Sequence, residues 1–135
     1  MIVLDCSAAL EIALKTPRGL GMQDLFLLNE DVIAPEWFRA EVANSAWKYF
    51  HTKRMSEEEA RLLMEDALSL PDRLVSIDDM LDEAFAESVA LDHSVYDMLY
   101  LVLARRNVAT LATCDNALRD CCLKRNVNCM VEVDL

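Results

Sequence analysis

The chain has 135 residues, of which 54% are hydrophobic, with only 2 Gly and 3 Pro. This length and composition favour a single folded domain over residues 1–135 and exclude a disordered or low-complexity chain. No apolar run reaches the roughly 18 residues of a membrane span, and the N-terminus lacks the basic start of a signal peptide, so we expect a cytoplasmic protein that does not associate with membranes.

The formal net charge of -11 restricts the kind of partner that the chain can bind. Nucleic-acid-binding proteins usually carry a basic face, so this charge argues against tight non-specific binding to long duplexes. It would also suit a basic partner protein. The candidate phosphate contacts are Lys15, Arg18, Lys48, Lys53, Arg54, Arg105 and Arg106.

Taken in chain order, short apolar runs predict strands, and longer runs with helical periodicity predict the helices between them. The predicted strands are Ile2 to Asp5, Val32 to Ala34, Leu74 to Ile77, Val108 to Thr113 and Cys129 to Val133. The predicted helices are Ser7 to Leu14, Leu20 to Leu28, about Glu36 to Thr52, Ser56 to Leu70 with a capping box at Ser56 and Glu59, Asp78 to Leu91, Ser94 to Arg106 and Asn116 to Arg125.

The alternation of strands and helices predicts an α/β fold, a three-layer α/β/α sandwich with a central parallel sheet. In such folds, ligands bind beyond the carboxyl ends of the strands, where the order of the strands reverses. Polar residues that directly follow a strand are therefore the first candidates for a functional site.

Two of the predicted strands deliver an aspartate to this edge. Asp5 ends the run Ile-Val-Leu, which is apolar throughout and is therefore expected at the centre of the sheet, and Ser7 follows two residues later. Asp115 follows Thr113 at the end of a second apolar strand. Each aspartate has a structural alternative as the N-cap of the next helix.

Two further carboxylates lie in predicted helices. Asp97, in the stretch SVYDMLYLVLA, has the capping-box spacing from Ser94, and a helix cap is the alternative interpretation. Glu41 borders the apolar stripe of its helix, with Asn44 three positions further on. A half-exposed glutamate and a surface asparagine are the alternatives for these two residues.

If the four carboxylates converge, they require a compensating cation, because like charges in one cleft cannot all stay ionised. Carboxylate oxygens suit Mg²⁺ or Mn²⁺ rather than zinc, and such ions support the hydrolysis of phosphodiester bonds by water. The sequence contains no glycine-rich phosphate loop, no H-x-x-x-H pair and no G-x-S-x-G motif, and His51 and His93 look isolated.

The stretches IVLDCSAAL, APEWFRAEVANSAW, SVYDMLYLVLA and LATCD occur in this order, and the resemblance that they carry spans Ile2 to about Leu118. As an ordered set they resemble the PIN-domain family, in particular the VapC-type toxins of toxin–antitoxin pairs. The resemblance implies a PIN fold and an endoribonuclease that depends on Mg²⁺ or Mn²⁺. It implies acidic roles for Asp5, Glu41, Asp97 and Asp115, and supporting polar roles for Ser7 and Thr113. Asn44, in the second motif, is a third candidate for a supporting role.

The resemblance also implies partners. VapC-type toxins cleave RNA, commonly form homodimers and are inhibited by a small antitoxin protein. The apolar Leu20 to Leu28 helix is predicted either to help form an antitoxin groove or simply to be buried. The alternative for the whole chain is a PIN-like binding or regulatory protein without nuclease activity, which the net charge of -11 favours.

Overall fold

The computed structural model describes residues 1–24 and 29–130, and these ranges contain four strands and seven helices. The strands are β1 (Ile2–Leu4), β2 (Val32–Pro35), β3 (Arg73–Val75) and β4 (Thr110–Ala112). The helices are α1 (Cys6–Ala13), α2 (Pro17–Met22), α3 (Trp37–His51), α4 (Glu57–Leu68), α5 (Leu81–Leu91), α6 (Val95–Asn107) and α7 (Asn116–Lys124).

The four strands form one parallel sheet in the order β3-β2-β1-β4. The register pairs Ile2 of β1 with Val32 on one side and with Thr110 on the other. All three residues of β1 are buried, as an apolar strand at the centre of a parallel sheet must be. The predicted α/β fold, with a central parallel sheet flanked by helices, is confirmed.

Helix α6 is buried along most of its length and fixes the candidate site against the sheet. Its residues from Met98 to Ala104 are all buried, and the helix packs on β1, β2 and β4. The hydroxyl of Ser94 caps the helix by accepting a hydrogen bond from the backbone N–H of Asp97, at 3.3 Å. The first turn of α6, which carries Asp97, is therefore held close to the carboxyl edge of the sheet.

The predicted second helix begins earlier in the structure than in the sequence-based prediction. Helix α2 starts at Pro17, because Thr16 caps it by accepting a hydrogen bond from the N–H of Gly19 and proline suits the first helical position. Residues 25–28 of the predicted helix lie outside the described residues, so its proposed part in an antitoxin groove stays a prediction.

The predicted last strand is represented by a short extension of the sheet. Cys129 forms a parallel bridge with Leu111 of β4, and the Leu111 N–H donates to the carbonyl of Asn128 at 2.8 Å. Residues 131–133 of this predicted strand lie outside the described residues.

The capping box at Ser56 and Glu59 is confirmed by its two reciprocal hydrogen bonds, each of 3.1 Å.

Over the described ranges, none of the helices combines the length and the apolar character that crossing a bilayer requires.

Candidate metal centre

Asp5 is a buried carboxylate at the carboxyl end of the central strand. It is the N-cap of α1, and its Oδ1 accepts hydrogen bonds from the backbone N–H of Ala8, at 2.9 Å, and from the hydroxyl of Ser7, at 2.7 Å. Its Oδ2 accepts a hydrogen bond from the hydroxyl of Thr113. The helix-cap interpretation of Asp5 is thus correct, and it coexists with a position at the edge where ligands bind.

The hydroxyls of Ser7 and Thr113 tie the ends of β1 and β4 together. Both donate to Asp5, and both accept a hydrogen bond from a backbone N–H directly after β4. The N–H of Cys114 donates to Ser7 at 2.9 Å, and the N–H of Asp115 donates to Thr113 at 3.0 Å. These bonds bring Asp5 and Asp115 to the same edge of the sheet.

Asp115 also caps a helix. Its Oδ1 accepts hydrogen bonds from the N–H groups of Ala117 and Leu118 at the start of α7, at 2.9 and 3.4 Å. Both bonds use the same oxygen, so the cap is compatible with a ligand at Oδ2, because each carboxylate oxygen has acceptor sites of its own.

The carboxylate of Asp97 contacts a histidine. Its Oδ2 is hydrogen bonded to Nε2 of His93 at 2.7 Å, while Ser94 caps the backbone of the same turn. Ligand atoms of His93, Asp97 and Asp115 all lie within 4.8 Å of one another. Asp97 is therefore not confined to a capping box, and its carboxylate belongs to a cluster that could hold a cation.

The interpretation of His93 as an isolated residue is wrong. A signal for this contact was present in the sequence, since His93 precedes Asp97 by four positions and directly precedes the helix cap Ser94. Side chains four positions apart meet on a helix, and a chain that turns into its cap can bring them together in the same way.

Glu41 reaches the site from α3, and Tyr100 of α6 holds it. The Tyr100 hydroxyl donates to Oε1 of Glu41 at 2.7 Å. Burial, and then the negative charge of Glu41, raises the pKa of Tyr100, which keeps this hydroxyl protonated as a donor. Burial also raises the pKa of Glu41, the Tyr100 bond partly offsets this, and the charges of Asp97 and Asp115 raise it further.

Burial raises the pKa of Asp5 from its ordinary value of 3.8 to about 7, against the lowering effect of its hydrogen bonds, and the charge of Glu41 adds to the increase. The buried carboxylates of Asp5 and Glu41 are therefore costly to ionise. A divalent cation would compensate this charge. The donors present, carboxylate oxygens and one imidazole nitrogen, fit such an ion.

Asn44 lies exposed on α3, one turn after Glu41, and its supporting role stays a prediction.

Two of the candidate phosphate contacts are already engaged in ion pairs. Arg105 pairs with Glu83 at 2.7 Å and with Glu87 at 3.0 Å, and Arg106 pairs with Glu83 at 2.9 Å. These arginines neutralise the acidic face of α5.

The fold and this acidic edge define a PIN protein, and comparisons with known proteins agree. The family model described as PIN domain matches residues 2–122, so the chain belongs to the PIN domain family. The family expected from the motifs is confirmed. PIN nucleases use divalent metal ions, and the chain has an acidic cluster suited to one.

The chain is similar to Ribonuclease VapC12 of Mycobacterium tuberculosis, in the strains CDC 1551 / Oshkosh and ATCC 25618 / H37Rv. The identity is 34% over 118 residues, which cover 87% of this chain and 89% of the relative. A crystal structure of PAE2754 from Pyrobaculum aerophilum superposes with a TM-score of 0.70 at 22% identity, over 89% of this chain and 84% of that one. The last likeness supports the fold alone.

The raised pKa of Asp5 predicts that Asp5→Asn stabilises the metal-free protein at high pH. Native Asp5 binds its proton more tightly than unfolded Asp5, with pKa values of about 7 and 3.8, so stability from this group is complete below about pH 4 and is lost as pH rises to 7. Asparagine stays neutral and removes this loss, which should raise the free energy of unfolding by up to about 4 kcal/mol at pH 8.

Urea unfolding in EDTA at pH 5 and pH 8 measures this effect. The difference in unfolding free energy between variant and parent should be larger at pH 8. Asp120→Asn makes the same chemical change at an exposed position of α7 and is the control. An equal difference for Asp5→Asn at both pH values would contradict the raised pKa.

Proposed function

We propose that this chain is a metal-dependent endoribonuclease, the VapC-type toxin of a toxin–antitoxin pair, which hydrolyses RNA phosphodiester bonds. The observation that carries the proposal is the convergence of acidic side chains at the carboxyl edge of the sheet in a chain of the PIN family. RNA as the substrate is supported by the name of the relative, Ribonuclease VapC12.

In this proposal, Asp97 and Asp115 hold Mg²⁺ or Mn²⁺ together with His93, and Asp5 completes the acidic set. A bound divalent cation lowers the pKa of water and stabilises negative charge on phosphate and leaving oxygens. Ser7 and Thr113 orient Asp5 through their hydrogen bonds.

Glu41 is proposed to accept the proton of the attacking water. Its Oε1 is held by the hydroxyl of Tyr100, which leaves Oε2 as the acceptor. Its raised pKa suits this task, because a general base works best when its pKa lies near the working pH. Asn44, one turn along α3, would support the position of Glu41 or of the substrate.

The nuclease proposal predicts that the purified protein cleaves single-stranded RNA in the presence of Mn²⁺ and that EDTA stops the cleavage. Asp97→Asn should lower the rate at least about a hundredfold, since it removes a charged ligand from the site. Asp92→Asn is the matched control: Asp92 is exposed five residues earlier, in a left-handed backbone conformation that asparagine also adopts, and this variant should keep the parent rate.

Cleavage that survives EDTA, or an unchanged rate in Asp97→Asn, would contradict the proposal. A folded protein that binds Mn²⁺ but leaves RNA intact would favour the alternative, a PIN-like binding or regulatory protein without nuclease activity. The net charge of -11 and the engagement of Arg105 and Arg106 with α5 are the observations on the side of that alternative.

The imidazole of His93 predicts a preference for Mn²⁺ over Mg²⁺, because nitrogen ligands suit transition metals and Mg²⁺ favours oxygen. His93→Ala should weaken the binding of Mn²⁺ about tenfold and that of Mg²⁺ much less, measured by calorimetry. His51→Ala, which removes a histidine stacked on Trp47, is the control and should change neither affinity. An equal loss for both ions would mean that His93 only orients Asp97.

An apolar groove between α3 and α4 is a candidate binding surface for the antitoxin. Its volume is about 230 Å³, and its lining includes Trp47, Phe50 and Met64. Trp47 and Phe50 are 52% and 44% exposed and line the same groove, and such contiguous exposed apolar surface marks sites of protein contact. We assign this groove to an apolar segment of the antitoxin.

Two further proposals come from the family resemblance alone: the protein forms a homodimer, and it is located in the cytoplasm.

A further inference from the structure

Two aromatic side chains stack on each other beside the acidic cluster. The rings of Trp37 and Tyr96 lie with their centroids 4.2 Å apart and their planes inclined by 10°. Trp37 is half-buried, whereas Tyr96 is 54% exposed. The indole Nε1–H of Trp37 is covered and finds no hydrogen-bond partner within the described part of the chain, so stacking and packing, rather than hydrogen bonding, position this ring.

The aromatic pair lies one helical turn from the contact that holds Glu41. Trp37 precedes Glu41 by four residues on α3, and Tyr96 precedes Tyr100 by four residues on α6. The Trp37–Tyr96 and Glu41–Tyr100 contacts therefore join the same two parallel helices one turn apart, about 6 Å along the helix axes. Tyr96 also directly precedes Asp97, so the exposed ring and the Asp97 carboxylate lie in the first turn of α6.

The charge of the protein makes stacking important for RNA binding. Nucleic-acid affinity commonly comes from cations that neutralise phosphates, but this chain carries a net charge of -11. Arg105 and Arg106 are engaged with Glu83 and Glu87. Stacking of a base on an aromatic ring needs no net positive charge and works with every base, because each has a π-face.

We infer that Tyr96, supported from behind by Trp37, is a stacking platform for a nucleobase of single-stranded RNA whose phosphate lies at the acidic cluster. This inference rests on the proposed ribonuclease function, and it adds the subsite that positions the substrate. Tyr96 is a binding and positioning residue in this scheme and takes no part in the chemical step. Trp37 contributes by holding the phenol ring in a fixed plane, which lowers the entropy cost of stacking.

The platform can be tested without cleavage by the fluorescence of Trp37. The chain has 2 tryptophans, so Trp47→Phe leaves Trp37 as the single reporter. An unstructured oligoribonucleotide is titrated in EDTA at pH 6, where no metal supports cleavage. Binding should change the emission of Trp37, and the affinity should depend only weakly on salt concentration.

Variants of Tyr96 give the decisive comparison, with binding measured by anisotropy of a labelled oligoribonucleotide. Tyr96→Ala should weaken binding about tenfold, or about 1.4 kcal/mol, while Tyr96→Phe should recover most of the affinity. Phe85→Ala removes another exposed aromatic ring, on α5, and should bind like the parent. Circular dichroism and thermal unfolding confirm that each variant is folded.

Cleavage assays in Mn²⁺ separate this inference from the nuclease proposal. If both hold, Tyr96→Ala raises KM about tenfold and leaves kcat nearly unchanged. Normal cleavage with an unchanged KM in Tyr96→Ala overturns the platform and leaves the nuclease intact. Binding that requires Tyr96 without any cleavage supports the platform and removes the nuclease. Absence of RNA binding, or equal affinities of Tyr96→Ala and Phe85→Ala, also overturns the platform.

Discussion

The buried carboxylate of Asp5 is the constraint on which the site depends. It caps α1 and accepts hydrogen bonds from the hydroxyls of Ser7 and Thr113, and these bonds join the ends of β1 and β4. The same burial raises its pKa to about 7, so the group that organises this edge is costly to ionise. A nearby positive charge stabilises Asp5 when it is ionised, and we propose that a divalent cation supplies this charge.

Glu41 shares this conflict. Asp97 and Asp115 lie close to each other and to His93, and their charges raise the pKa of Glu41. Hydrogen bonds to protein donors relieve part of the repulsion, as Tyr100 does for Glu41. The buried body of α6 fixes the first turn against the sheet, so repulsion cannot separate these groups. Holding these carboxylates together costs stability when no cation is bound, a common compromise between stability and function.

The sequence predicts those features that depend on local patterns. The apolar run before Asp5 predicts a central strand, and the apolar stretch after Asp97 predicts a buried helix. Contacts between distant segments were not predictable. Glu41 and Tyr100 are 59 positions apart, and their bond, like the stacking of Trp37 on Tyr96, depends on how α3 and α6 pack. In the sequence, the charges of Arg105 and Arg106 indicate phosphate binding. In the structure, both arginines form ion pairs with Glu83 of α5.

Titration of Mn²⁺ into the metal-free protein by calorimetry, at pH 6 and pH 8, tests the central claim most directly. Since Asp5 must lose its proton before its carboxylate can help to stabilise the ion, binding should be tighter at pH 8 and should release protons at pH 6. The same heats measured in two buffers of different ionisation enthalpy give the number of protons. No binding at millimolar Mn²⁺, or equal affinities at both pH values without proton release, would contradict the account.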